Sequence, residues 1–289
     1  MTSSSKRSDV ALVTGASSGF GLLAAVELAR RGLRVFASMR EPVRADRLRS
    51  ALDEASLGAE IVRLDVTRPD HIEQAVSSIE EVAGGVDVLV NNAGYGLGGS
   101  VEDIAMEELR EQFETNFFGL VALSKRVLPG MRERRRGRII NVSSIAGRVA
   151  LPGAAAYSAS KFAVEGFSES LRHELLPFEV YVSLVEPGTF RTDIFDRNRR
   201  IAARAADPSS AWAEMTRKIS AVVDGRVEKS TADPRAVALV IAEIATAARP
   251  RLRYMVGRDA VAQKLLSRIL PDRLWETAVG RVTGLSDMT

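Results

Sequence analysis

The sequence predicts an α/β fold, a single doubly wound parallel sheet of about seven strands with helices on both faces. Three observations predict it. Short runs rich in valine, isoleucine and leucine alternate with longer segments of helical period, the pattern of a parallel sheet buried on both faces. The 289 residues, 46% of them apolar, suffice for a full core without metal or disulfide staples. A glycine-rich turn stands between the first apolar run and the first helical segment, where such sheets place a binding turn.

Taken in order, the first strand is expected at 10–14 (VALVT) and the first helix from near Phe20, through good helix formers to Arg30. A second strand at 34–38 leads to a helix from near Arg44, and a third at 60–65 to a helix from near Pro69. The fourth, at 86–90, precedes a helix from near Met106, and the fifth, at 137–142, a helix from near Ala156 to Leu175. The sixth is expected at 181–186, and the seventh at 253–256 after a helix from near Asp233. Strands joined through helices imply right-handed crossovers and one sheet. No linker, repeat or composition shift divides the chain, so residues 1–289 read as one domain. Residues 189–231 are expected to contain no strand, only Phe195, Ile201, Trp212, Met215, Ile219 and Val222 among many charges, as in a lid or a partly disordered segment. Residues 258–289 read as a C-terminal extension, with helical apolar spacing at Leu266, Ile269, Leu270, Leu274, Trp275 and Val279 broken by Pro271.

Composition excludes several chemistries. The chain has no cysteine, which removes disulfides, thiolate nucleophiles, iron–sulfur clusters and cysteine-bound zinc. Its two histidines, His71 and His173, do not suggest a triad or a metal site, and no metal is expected. With 40 basic and 37 acidic side chains the net charge is +3, no argument for nucleic acid or an anionic membrane. The five arginines within 132–138 read as a solvated helix end. Residues 1–9 form a polar tail, and no segment approaches the ~20 apolar residues that a bilayer span requires. The expectation is a cytoplasmic protein without a membrane span.

The turn after the first strand reads Gly15, Ala16, Ser17, Ser18, Gly19, Phe20, Gly21. Phosphate can sit at a helix N-terminus, where free amides and the helix dipole point, and glycine leaves the room for close approach. The spacing is G-x-x-x-G-x-G, not the commoner G-x-G-x-x-G, but its place between strand and helix indicates a dinucleotide site in a Rossmann-type domain. At the end of the second strand Met39 stands where a site for NAD wants an acid. Arg40 follows it, as suits a 2′-phosphate, so NADP(H) is favoured over NAD(H). Glu41 keeps NAD open, since one step of register restores an acid.

Tyr157 and Lys161 are four apart in a helical segment and share a face. An ammonium lowers the pKa of a nearby phenol toward the range useful for proton transfer. Ser144, thirteen residues before Tyr157, ends the fifth strand, where a hydroxyl can donate to a carbonyl oxygen as charge builds on it.

Together the turn at 14–21, Asn91-Asn92-Ala93-Gly94, Asn116, Ser144, Tyr157 with Lys161, and Pro187-Gly188 resemble the short-chain dehydrogenase/reductase family in order and approximate spacing, over about two-thirds of the chain. Met39-Arg40 and the tail at 250–260 are similar, more loosely, to its 17β-hydroxysteroid and retinol dehydrogenase-like branch. The resemblance implies that Tyr157 is the general acid or base, and that Lys161 lowers its pKa and holds the nicotinamide ribose. It implies that Ser144 polarises the carbonyl, in preference to Ser143, and that Asn116 anchors a water relaying protons to Lys161. Asn92, Ala93 and Gly94 would line the adenine ribose, and Asp65 and Val66 the adenine. Pro187, Gly188, Phe190 main chain and Thr192 would hold the nicotinamide carboxamide.

Tyr95, Leu97, Leu151 and Phe195, with Val149, Ile201, Trp212 and Met215, could wall an apolar pocket around Ser144 and Tyr157, which points to a hydrophobic ketone, aldehyde or alcohol as substrate. Two alternatives stay open: an NAD-dependent alcohol dehydrogenase of the same family, and a non-catalytic dinucleotide-binding regulator. The resemblance also implies a homodimer or homotetramer formed through the helices near Met106 and Ala156.

Overall fold

A computed structural model describes residues 8–286, so most of the expected N-terminal tail and the last three residues lie outside the described residues. In chain order the strands are β1 (Val10–Val13), β2 (Arg34–Met39), β3 (Glu60–Arg63), β4 (Val88–Asn91), β5 (Gly96–Gly98), β6 (Gly137–Val142), β7 (Val180–Pro187), β8 (Arg199–Ile201) and β9 (Arg253–Val256). The α-helices are α1 (Gly19–Arg30), α2 (Asp46–Glu54), α3 (Pro69–Ala83), α4 (Met106–Phe113), α5 (Gly119–Glu133), α6 (Ala155–Leu175), α7 (Ala213–Lys229), α8 (Arg235–Thr246), α9 (Arg258–Ile269) and α10 (Asp272–Thr283). A π-helical turn, Glu114–Phe118, joins α4 to α5.

Seven strands form one parallel sheet in the order β3-β2-β1-β4-β6-β7-β9. Both faces are buried, and the two-residue period of a strand shows how. In β1, Ala11 and Val13 join the core beneath α1 and α8, while Val10 and Leu12 join the core beneath α3 and α5. The strand order reverses between β1 and β4, and the crevice at their C-terminal ends is where a doubly wound sheet binds its ligand.

All seven expected strands of this sheet are present. The stretch expected to lack strands does not: Arg199–Ile201 forms β8, parallel to β5 (Gly96–Gly98). Three residues are too few to show a period, and the pairing is specified by a partner a hundred residues away. Residues 213–229 of the same stretch form α7. The arginine run is also more than a solvated end. Arg134 Nη2 donates to the Val86 carbonyl at 2.9 Å, and the Arg138 guanidinium grips the carbonyls of Ala247 and Ala248 while lying 4.8 Å from the Tyr181 ring. Of the apolar residues on α6, Val164 is buried and Phe167 packs edge-on against Phe117, leaving Phe162 exposed. Among the described residues no helix is long and apolar enough to cross a membrane.

Candidate active site

The glycine turn is built by backbone conformation. Gly15 and Gly19 have φ of +67° and +55°, where a side chain would be strained. A Cβ on Gly21 would overlap Asn92 Nδ2 and the Gly15 carbonyl. Ser18 begins α1 in an extended conformation without capping it through its side chain, which leaves the first amides of the helix to an anion. Thr14 and Asn92 brace the turn. Asn92 Nδ2 donates to the carbonyls of Thr14 (2.9 Å) and Gly15 (3.2 Å), while Thr14 Oγ1 accepts from the amides of Asn92 and Ala93. Thr14 belongs to the turn at 14–21 read from the sequence, but its partners, 78 and 79 residues away, could not be read from that turn.

A cleft of about 480 Å³ opens from this turn. Its lining includes Gly15, Ser17, Ser18, Gly19 and Phe20 of the turn, Arg40, Asp65 and Val66 at strand ends, and Asn92, Ala93, Gly94 and Thr192. Gly21 lies behind the wall, and Phe190 is buried with its ring 5.6 Å from that of Phe20. Arg40 is exposed and has no hydrogen-bond or ion-pair partner among the described residues. Glu41 pairs with Arg44 at 2.8 Å. The buried Thr192 hydroxyl lacks a partner. Uncapped amides, glycine room, a free guanidinium and an orphaned hydroxyl fit a dinucleotide. Sequence reading missed Asp193, which lines the cleft and is held by Ser18, Arg47 (3.0 Å) and Arg197 (2.6 Å).

A second pocket, of about 260 Å³, shares Phe20, Asn92, Gly94 and Ile194 with the first cleft. Ser144, Tyr157, Lys161, Pro187 and Gly188 line it, with Leu97, Leu151, Phe195, Ile201, Ile219 and Val223 as its apolar wall. Tyr95 does not belong to this wall, contrary to expectation. Its main chain is bonded on both sides by the Asn116 amide, and its ring, in the dinucleotide cleft, lies 4.4 Å from the Arg200 guanidinium. Val149 packs instead against Ala260 and Trp275, and Trp212 donates to Glu102 at 2.7 Å. Met215 also lies outside the lining.

Tyr157 and Lys161 stand on one face of α6, with Lys161 Nζ 5.7 Å from the phenol ring and donating to the Val142 carbonyl at 2.8 Å. Burial pushes the Tyr157 phenol up to about 12, opposed by a hydrogen bond with Ser144. Burial pushes Lys161 down to about 8, opposed by the charge of Glu165. Contrary to expectation, Lys161 is not among the groups that shift the phenol in this state: burial raises it, and Ser144 is the group that favours the phenolate. The Ser144 hydroxyl also accepts from the Ala146 amide at 3.1 Å, whereas the neighbouring Ser143 hydroxyl is buried and unpartnered.

Asn116 sits in the π turn, a distortion frequent at functional sites. Its Nδ2 donates to the Tyr95 carbonyl (3.0 Å) and to Ser160 Oγ (3.2 Å), so it reaches the residue before Lys161 and not Lys161 itself. Beyond Lys161, Glu165 and Glu186 share Arg253, whose Nε lies 3.2 and 3.4 Å from them. Burial, reinforced by Glu165, pushes Glu186 up to about 7.

The arrangement therefore joins an anion-binding cleft to an apolar pocket that presents two hydroxyls and an ammonium. Comparison with known proteins agrees. The family model described as short chain dehydrogenase matches residues 9–202. The chain is 42% identical over 271 residues to the uncharacterized oxidoreductase YusZ of Bacillus subtilis, covering 93% of this chain and 96% of that one. It is 38% identical to the 3-ketodihydrosphingosine reductase of Bacteroides thetaiotaomicron, with the same coverage. It is also 40% identical to retinol dehydrogenase 8 of Bos taurus, covering 84% and 79%. Among solved structures, a short-chain dehydrogenase from Streptomyces avermitilis superposes with a TM-score of 0.80 at 33% identity, covering 99% of each chain. A metagenomic short-chain oxidoreductase in complex with NADP gives 0.68 at 29% identity (86% of this chain, 97% of that one). A short chain dehydrogenase/reductase from Burkholderia phymatum in complex with NAD gives 0.77 at 26% (91% and 93%). The chain belongs to the short-chain dehydrogenase family. It is an oxidoreductase of the CH–OH/carbonyl class that uses a nicotinamide dinucleotide.

Proposed function

We propose that the protein interconverts a hydrophobic ketone or aldehyde and its alcohol with NADP(H), using Tyr157 as general acid and base. The observation that carries this reading is the junction of the two cavities: an apolar pocket presenting the Tyr157 and Ser144 hydroxyls opens onto the cleft of the glycine turn. Thr192 and the segment after β7 would hold the nicotinamide, which when bound would supply or take the hydride. Ser144 donates to the carbonyl oxygen and fixes it beside Tyr157. Tyr157 gives its proton to that oxygen during reduction and takes it back during oxidation. Lys161, engaged by the Val142 carbonyl, holds positive charge beneath the ring.

The unpartnered Arg40 supports NADP over NAD, and Glu41, the residue that would restore an acid, is occupied by Arg44. Relatives named for 3-ketodihydrosphingosine and for retinol favour an apolar substrate. Within one domain, residues 189–231 serve as the cover of the pocket, through Phe195, Ile219 and Val223, and the extension closes its far side through Gln263 and Thr283. The test is NADPH and NADH oxidation against a panel of carbonyl compounds. Turnover of apolar ketones or aldehydes with a lower KM for NADPH is the expected result. Activity confined to small sugars or hydroxy acids, or a preference for NADH, overturns the reading.

A further inference from the structure

Among the described residues, the wall of the second pocket carries three charged side chains, Lys161, Arg199 and Arg226, and no carboxylate. Two of the three are engaged. Lys161 donates to the Val142 carbonyl, and Arg199 pairs with Asp224. Arg226 is half-buried and has no hydrogen-bond or ion-pair partner among the described residues. It follows Thr216, Ile219 and Val223 on the pocket-lining face of α7, at the three- and four-residue spacing that keeps side chains on one face. Asp224, two residues earlier, is about 200° away around the helix and is already taken by Arg199.

Ser230 Oγ donates to the Thr189 carbonyl at 2.8 Å and fastens the end of α7 to the segment after β7. Arg226 lies four residues, about 6 Å of helix, before that anchor and lines the pocket. A half-buried guanidinium left unpaired in a largely apolar wall is costly unless a ligand completes it, and its planar fork matches a carboxylate bidentately.

We propose that the substrate is an amphiphilic carbonyl compound, or its alcohol, bearing a carboxylate that Arg226 receives while the apolar wall covers the chain. This rests on the reading of the pocket as a site for hydrophobic carbonyls. The cations set the charge preference, and the apolar wall excludes small polar acids that cannot fill it.

The test compares 4-oxodecanoate with its methyl ester in NADPH-dependent reduction by the wild type, Arg226→Gln and Arg226→Lys, with decanoate and decanol as non-reacting ligands in binding titrations. The wild type is expected to favour the acid roughly tenfold or more in kcat/KM, as for a hydrogen-bonded charged group. Arg226→Gln should bring the ratio near one, Arg226→Lys should retain most of it, and decanoate should lose affinity in the Gln variant while decanol does not. Its replacement breaks no hydrogen bond or ion pair among the described residues, and Arg226→Lys keeps most of the packing of the stem. A wild-type ratio near one, or a ratio unchanged in Arg226→Gln, overturns the carboxylate assignment even where the ester is reduced well. Failure of the wild type to reduce the acid, the ester and other apolar carbonyls overturns the underlying reading as well.

Discussion

Replacing Gly21 with alanine tests the phosphate turn. The added Cβ would overlap Asn92 Nδ2 and the Gly15 carbonyl oxygen and would stand 2.9 Å from the Gly15 carbonyl carbon. Two of the three obstacles are backbone atoms, so relief requires the first turn of α1 to move away from the Gly15 turn. Overpacking of this kind costs about 1–3 kcal/mol. The same displacement strains the bonds from Asn92 Nδ2 to the Thr14 and Gly15 carbonyls, worth about 1 kcal/mol each. A total of about 3–5 kcal/mol corresponds to a Tm lower by about 5–8 °C for a chain of this size. Calorimetry measures the first effect, and titration of NADPH fluorescence measures the second, a Kd raised roughly tenfold or more. Gly58→Ala, where an added Cβ meets nothing within 4 Å, is the control. Wild-type Tm and wild-type Kd in Gly21→Ala would refute the claim that this turn is shaped for close approach of phosphate.

Further outcomes follow from individual side chains. Arg40→Ser should raise KM for NADPH roughly tenfold and leave KM for NADH nearly unchanged in steady-state kinetics, since an exposed guanidinium contributes less than a buried one. Asp193→Asn should lower the Kd for NADPH several-fold in the fluorescence titration, because a carboxylate lining the cleft repels a nearby phosphate. The raised pKa of Glu186 means that the folded protein keeps a proton that the unfolded chain releases between about 4.5 and about 7, so this group's contribution to stability falls as pH rises through that window. Glu186→Gln removes that loss. In denaturant melts it should gain on the wild type by about 1–3 kcal/mol between pH 5 and pH 8, and parallel pH profiles would count against the buried pair.

Long-range order was legible wherever short-range pattern carried it. The central strands of the sheet are apolar on both faces, so their runs stand out against the helices between them. The turn at Gly15 to Gly21 and the pair Tyr157 and Lys161 are contiguous or one helical turn apart, and their proximity could be read from spacing alone. What depended on distant partners was not legible. β8 exists because β5 lies beside it, and Tyr95 leaves the substrate wall because Asn116, twenty-one residues later, holds its main chain. The high phenol pKa of Tyr157 likewise follows from burial, which the sequence shows only as a ring in a helix. Arg226 is one of many arginines until the fold places it on a wall without carboxylates.

If Tyr157 moves the proton while other residues bind the dinucleotide, Tyr157→Phe separates the two functions. The ring and its packing remain, and only the hydroxyl that meets Ser144 is lost. With a substrate from the carbonyl panel, kcat should fall by about 10²–10⁴-fold, the contribution of a positioned general acid, while the Kd for NADPH stays close to that of the wild type. Undiminished kcat with intact NADPH binding would contradict the account.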